Sequence, residues 1–445
     1  MNRKTRALGP LLAILVACAG AGCRRAAQPA PANVVLITID TLRASRCSLY
    51  GHERKTTPFL DELATRSTVF DNAHATSSWT APSMASLFTS LPPRSHGVIH
   101  GFVEKGKVID QEVLSGDFVT LAEALAGHGY KAFGVSTNGH LTAKTGFGQG
   151  FDVLTEIAWE PASAVEEKTL LLRDRLRAAE SYFLWVHYLD PHWPYEERQP
   201  WFDSYQATLR QDVDGAEIPP GKGKNIQAFF EMLNRYDSEI AYVDDSIRRL
   251  FSELALEQNS LVIVTADHGE AFFDHGQFSH GQSLYEEEIR VPLLVRLPGQ
   301  VVARRVDSVV SLVDLYPTIL DIVGIDSPTN IEGLSLLPAV RGDGKVERAV
   351  VAELDRDKPK HRSLIRQGWK LYRKSAPDAF VRLFDLQEDP HERNDRAAAE
   401  ADRLDAMQRR WAEWEKDWPR FDAPRRIAPL DAGARERLRA LGYLK

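Results

Sequence analysis

The residue types best suited to chemistry in this 445-residue chain stand at the ends of apolar runs. Thr80 heads the stretch TAPSMASLFTSLPPRSHG, which runs to Gly97 and reads as a hydroxyl nucleophile on a turn that opens a short helix. Pro82 suits a first helical turn, where its missing N–H would have had no partner. The free amides and positive dipole end of that turn favour an anionic phosphate or sulfate beside Thr80. Asn33 to Ile39, NVVLITI, is a continuous β-branched run, as a strand buried on both faces should be, and it ends in Asp40. In open α/β sheets ligands gather beyond the carboxyl ends of strands, so an acid there is placed to hold a metal. Tyr182 to Tyr188, YFLWVHY, is a second such run and leads into Asp190 and His192; Leu261 to Thr265 is a third and leads into Asp267-His268-Gly269-Glu270. His192 lies past its strand and is placed to meet a substrate, whereas His187 lies within the strand and reads as a satisfied core residue.

Together these motifs resemble the sulfatase and alkaline-phosphatase superfamily. Thr80, Pro82, Ser83, Thr89, His96 and Gly97 fall on its signature, IDTLRASRCSLYG matches its first motif, and Asp190, Pro191, His192, Pro194 and Tyr195 match its D-P-H-x-P-Y run. Sulfatases carry a Cys or Ser, oxidised to formylglycine, where Thr80 stands, and an Arg where Met84 stands; Ser90 replaces a Gly. Threonine is not convertible to that aldehyde, so no formylglycine is expected, and Thr80 resembles the plain hydroxyl nucleophile of the superfamily's phosphodiesterases and phosphoethanolamine or phosphoglycerol transferases. The resemblance makes Asp40, Asp267, His268 and Thr80 the ligands of one divalent metal ion, and carboxylate oxygens with one imidazole suit Ca, Mg, Mn or Zn. Many sulfatases have a second Asp where this chain has Thr41. A Lys-x-His pair that grips the substrate anion aligns with Asn138 and His140, and a Lys expected after His280 is Gly281. Asn138, His192 and His280 are thereby the substrate-binding candidates, and Thr80, His140, His192 and His280 the catalytic ones. A second metal held by Asp190, His192 and His280 is conceivable, as in two-metal phosphodiesterases, but the Asp190–His192 spacing does not match their ligand pair and one metal is favoured.

The function this implies is metal-dependent hydrolysis of phosphate mono- or diesters, or of sulfate esters, through a covalent Thr80 intermediate. The alternatives are an arylsulfatase-like sulfuric ester hydrolase working without formylglycine and an envelope phosphoethanolamine- or phosphoglycerol-type transferase. The chain shows no transmembrane bundle of the kind usual for such transferases. A small molecule or a glycan or lipid ester is the expected substrate.

These residues need an α/β scaffold to align them. The resemblance implies an alkaline-phosphatase-like sandwich, with a large mixed, mostly parallel sheet flanked by helices and a smaller C-terminal antiparallel sheet. The expected organisation is a signal and tether over 1–32, a catalytic domain over 33–340 and a small sheet with a helical tail over 345–445. Periodicity predicts helices over 166–179, 226–256, 313–323 and 396–414. In the long helix Tyr236, Ile240, Val243, Ile247 and Leu250 form a core stripe, and the charges between them read as a solvated face. Strands are predicted over 69–75, 291–297, 349–354, 369–373 and 381–385, and Trp411, Trp414 and Trp418 read as packing. The aperiodic segment 196–223 reads as an insertion over the pocket.

With 43% hydrophobic and 26% charged residues the chain is neither disordered nor a multi-span membrane protein, and its net charge of −7 argues against nucleic-acid binding. Arg3, Lys4 and Arg6 followed by the apolar run from Leu8 to Ala17 form a targeting signal too short for a permanent span. Cys18 or Cys23 is the expected lipidation site, with cleavage near Ala27 as the secretory alternative. This predicts a bacterial cell-envelope location on the periplasmic face, attached to the membrane through an N-terminal lipid, or otherwise secretion. Cys47 alone remains for the folded part, where it reads as a small buried apolar residue.

Overall fold

A computed structural model describes residues 33–105, 108–206, 226–356, 359–422, 426–430 and 435. The predicted leader with Cys18 and Cys23, the insertion beyond residue 206 and the tail beyond residue 435 lie outside the described residues.

Eight strands form the main sheet: β1 (Asn33–Ile39), β2 (Thr68–His74), β3 (Lys131–Ser136), β4 (Val153–Glu156), β5 (Tyr182–Tyr188), β6 (Ser260–Ala266), β7 (Arg290–Arg296) and β8 (Arg304–Ser311). Their spatial order is β8-β2-β7-β6-β1-β5-β3-β4. Within this sheet β7 alone runs against the others, which makes it mixed but mostly parallel. The uniformly apolar runs occupy the centre, where both faces are covered and β1, β5 and β6 are buried almost throughout. Edge strand β8, RRVDSVVS, alternates half-buried and exposed positions over its first four residues and is mostly buried after them; this half-polar pattern hid it from the sequence reading, and β4 was hidden by its shortness.

Register is what aligns the chemistry. Ile39 stands level with Tyr188 on one side and Ala266 on the other, and Ser136 stands level with His187. Asp40 and Asp267 therefore emerge side by side, one residue past the carboxyl ends of the adjacent strands β1 and β6, and Asn138 follows two residues past the end of β3, on the far side of β5. Helix α1 (Pro58–Ala64) and helix α2 (Thr80–Thr89) follow the first two strands in sequence, and α2 is buried along its whole length, with Met84 in the core at the position where an arginine was expected. Ser90 ends α2 in the left-handed conformation that favours glycine (φ 55°), and its hydroxyl donates to the Val313 carbonyl at 2.7 Å.

Two sequence expectations need correction. The helix predicted over 166–179 is two helices, Ala162–Leu170 and Arg173–Ala178. Leucines 170 to 172 fit no single stripe, and the break between the helices leaves Leu171 69% exposed. Helix α3 (Ile226–Glu253) carries the predicted apolar stripe, but three of its acids turn inward, among them Glu239, which accepts from the Glu196 amide at 3.1 Å. Asp237 is buried beside Arg46, His52 and Arg54, and Asp244 accepts from the Phe59 and Leu60 amides at 2.7 and 3.0 Å, satisfying the open start of α1. Helix α3 also fixes the turn after β1, because the Tyr236 hydroxyl donates to the Thr41 carbonyl at 2.7 Å.

A separate antiparallel sheet of β9 (Val350–Leu354), β10 (His361–Arg366), β11 (Trp369–Lys374) and β12 (Phe380–Asp385) packs Val351, Leu364, Leu371 and Leu383 against Met407, Trp411 and Trp414 of a helix over Ala401–Asp417. Trp418, just past that helix, is partly buried against the same cluster, so all three tryptophans serve packing, as read. This sheet holds the nucleophile stretch from behind: the Glu353 amide donates to the Thr76 carbonyl at 2.8 Å, and Glu353 pairs with Arg94 at 2.8 Å, whose guanidinium lies over Trp414.

Candidate active site

The sequence places Thr80 at the head of α2, and the backbone leaves that head open. Trp79 takes the cap position in an extended conformation with no side-chain bond to the first-turn amides, so the positive end of the helix faces the strand ends. The Ser83 hydroxyl ties this turn to the sheet by donating to the Asp267 carbonyl at 2.6 Å. Thr80 Oγ1 lies 3.3 Å from His268 Nε2 and 3.4 Å from Asn138 Nδ2. Asn138 in turn donates to Asp40 Oδ2 at 2.6 Å, while its Oδ1 accepts from the His140 amide at 2.9 Å, which fixes the orientation of the carboxamide.

One atom each from Asp40, Asp267 and His268 lies within 4.8 Å of the others, the metal-ligating cluster found among the described residues. Buried Asp40 Oδ1 and Asp267 Oδ2 have no hydrogen-bond partner. Asp267 Oδ1, by contrast, accepts from the Thr41 and His268 amides at 3.1 and 2.8 Å. Thr41 reaches it only by taking a left-handed conformation (φ 54°), a strained choice for a β-branched residue. His268 Nδ1 pairs with the Gly269 carbonyl at 2.9 Å, which assigns the ring proton to Nδ1 and turns the Nε2 lone pair toward the two carboxylates.

The electrostatics are those of two buried carboxylates that face each other. Burial pushes both carboxyls up. For Asp40 the imidazoles of His187, His192 and His268 win and hold it well below the usual carboxylate range, whereas Asp267, facing Asp40, is driven well above. Two buried carboxylates this close ionise together only when a cation joins them. Burial, the largest influence on each, lowers His268, lowers His192 to about 4 and lowers His140 to about 3.

His192 and His280 come together with the cluster: their rings are 5.0 Å apart, and His280 is 4.6 Å from His268. His140 meets the site through Trp79, edge to face at 5.6 Å. Asp190 does not join, because its carboxylate bonds to Arg198 at 2.7 Å. Three participants escaped the sequence reading. His280 Nδ1 pairs with Glu270 Oε1 at 3.0 Å, and Glu270 Oε2 accepts from the Tyr195 hydroxyl at 3.0 Å; burial pushes Glu270 up to about 7. His187 was read as a core residue, and it is fully buried, but its Nε2 stands 3.4 Å from Asp40 Oδ2. Its Nδ1 pairs at 2.8 Å with the Thr38 hydroxyl, which accepts from Trp185 Nε1 at 3.0 Å, an arrangement that puts the imidazole proton on Nε2, facing Asp40.

A family model described as Sulfatase matches residues 32–325, and one described as N-sulphoglucosamine sulphohydrolase, C-terminal, matches residues 273–412. Arylsulfatase K of Bos taurus is 40% identical over 153 residues, 34% of this chain but only about a quarter (26%) of that relative. Arylsulfatase K of Homo sapiens is 28% identical over 392 residues, covering 74% of this chain and 69% of its own. A solved structure described as in complex with its substrate D-glucosamine-2-N,6-O-disulfate superposes with a TM-score of 0.75 at 18% identity, over 87% of this chain and 98% of that one. A phosphonate monoester hydrolase of Agrobacterium radiobacter superposes with a TM-score of 0.67 at 20% identity, over 87% and 95%.

Proposed function

The chain belongs to the sulfatase family, and on that footing we propose that it is a metal-dependent hydrolase of phosphate mono- or diesters acting through a covalent Thr80 ester. The observation that carries this reading is the placement of a hydroxyl that cannot become formylglycine, 3.3 Å from His268 Nε2 at the open end of a helix and beside the Asp40–Asp267 pair.

The residues fit a divalent cation. Asp40 Oδ1 and Asp267 Oδ2 are buried oxygens without partners, and His268 offers a lone pair at Nε2. Asp40, Asp267, His268 and Thr80 would hold the ion, and when bound it would lower the pKa of the Thr80 hydroxyl and polarise a substrate oxygen. Thr80 Oγ1 attacks phosphorus and the alcohol leaves from the opposite side; water then opens the Thr80 ester. Asn138 Nδ2 and the first-turn amides of α2 meet the non-bridging oxygens. His192 and His280 carry the protons. Their Nδ1 atoms are committed to the Trp193 carbonyl and to Glu270, which leaves Nε2 of each ring to receive a proton and pass it on.

A cavity of about 560 Å³ opens from Asn138 past Trp159, Lys144 and Lys168, room for the body of a glycan or lipid ester. Sulfate esters are the second reading, favoured by the sulfated sugar bound in the structural relative above. The leader supports a lipid-anchored, periplasmic enzyme modified at Cys18 or Cys23. With purified metal-reconstituted protein, aryl phosphate, phosphodiester and phosphonate esters should be turned over faster than the matching aryl sulfate. Activity on the sulfate alone would overturn the phosphoesterase assignment. His187 acts on Asp40 from behind, and His187→Ala should weaken divalent-metal affinity about 10–100-fold in a chelator-competition titration.

A further inference from the structure

We propose that Arg356 is an anion-binding residue of this site, whose guanidinium, supplied by the small C-terminal sheet, grips the tetrahedral oxyanion of the ester where position 281 supplies no cation. The inference rests on the ester-hydrolase reading above and adds a residue that no motif of the catalytic sheet contains.

Three positions at which the family resemblance led us to expect cations are neutral here: Met84, Asn138 and Gly281. Met84 is in the core, and Asn138 is engaged with Asp40 and Thr80. Gly281 holds a left-handed conformation (φ +72°), and a Cβ added there would lie 3.3 Å from Arg356 Nη1 and 3.5 Å from Trp79 Cβ. The space into which a side chain at 281 would first extend is therefore bordered by the Arg356 guanidinium. Arg356 follows β9 by two residues, so the charge reaches the site from the other sheet.

The Arg356 guanidinium rests on an aromatic ring, and its backbone is fixed separately. Its Cζ lies 5.2 Å from the Trp79 ring centroid, a cation–π contact. Trp79 immediately precedes Thr80, and Gly281 immediately follows His280, so Arg356 is framed by the neighbours of two site residues. Its backbone is anchored where the Arg356 carbonyl pairs with His100 Nδ1 at 2.7 Å. The preceding Asp355 is fixed in turn by Arg362 at 2.9 Å and Arg420 at 3.0 Å. The charge is felt inside the site: beyond the dominant effect of burial, Arg356 contributes to the lowering of both His140 and His280. A guanidinium also matches the geometry of a phosphate or sulfate, to which it donates two parallel hydrogen bonds.

The test uses binding rather than turnover, so it reads Arg356 whether or not Thr80 is the nucleophile. Full-length, metal-reconstituted protein is titrated calorimetrically with inorganic phosphate and, separately, inorganic sulfate. Both anions should bind the parent, Arg356→Ala should weaken them roughly 10–100-fold, and Arg356→Lys should recover part of the loss at unchanged melting temperature. Affinity unchanged in Arg356→Ala, or no binding of either anion to the parent, overturns the proposal. A loss that Lys fails to recover and that accompanies a lower melting temperature also overturns it, in favour of a packing role on Trp79.

Discussion

Thr80→Ala is expected to lower phosphoester turnover by about 10³- to 10⁶-fold, the range in which loss of a covalent nucleophile falls. Alanine keeps the helix start and the packing of α2, because Thr80 makes no capping bond that holds the turn. What it removes is the oxygen that lies between His268 Nε2 and Asn138 Nδ2. Thr80→Ser restores that oxygen and should recover a large part of the rate. The comparison separates nucleophile from scaffold, since a purely structural role for Thr80 would let both variants turn over at nearly parental rates. Steady-state rates on the best ester of the panel, with melting temperatures alongside, are the measurement.

The second large effect is expected at the carboxylates. Removing the divalent ion with a chelator should abolish turnover, and Asp267→Asn should weaken metal binding by more than the roughly 10–100-fold typical of outer-sphere partners. The physical reason lies in the pair itself: Asp40 is held ionised by three imidazoles, while Asp267, buried against it, resists ionisation until a cation compensates both. Binding should therefore raise the melting temperature as well as restore activity. A ligand at one hundred times its dissociation constant stabilises by about 2.7 kcal/mol. Elemental analysis should give one ion per chain. Full activity and unchanged melting in the chelated protein would remove the metal from the account.

Much of the scaffold was legible because parallel strands announce themselves. NVVLITI, YFLWVHY and the run before Asp267 are apolar without alternation, and the residue that breaks each run falls at the carboxyl edge where ligands gather. Thr80 was legible from its turn and helix start. The same uniformity concealed His187, since a strand buried on both faces gives no hint which way a polar side chain within it points. Glu270 was quoted within its motif, but its partnership with His280 and Tyr195 depends on a hairpin closing over 271–279 and on Tyr195 from a distant loop. Asp237 and Asp244 looked solvent-facing because periodicity records the apolar stripe of α3 and not the arginines or helix ends that neighbouring segments bring to its flank. Arg356 carried no local signal; only the docking of the small sheet against the Trp79 loop brings it to Gly281.

The central claim, a covalent ester on an unmodified threonine, is tested most directly by acid-quenching the metal-reconstituted protein during turnover of an aryl phosphate and mapping the digested peptides by mass spectrometry. The account predicts a phosphoryl adduct on the peptide carrying Thr80, located to Thr80 by fragmentation and absent from Thr80→Ala. Rapid turnover with that peptide unmodified, or with the adduct on another residue, would contradict it.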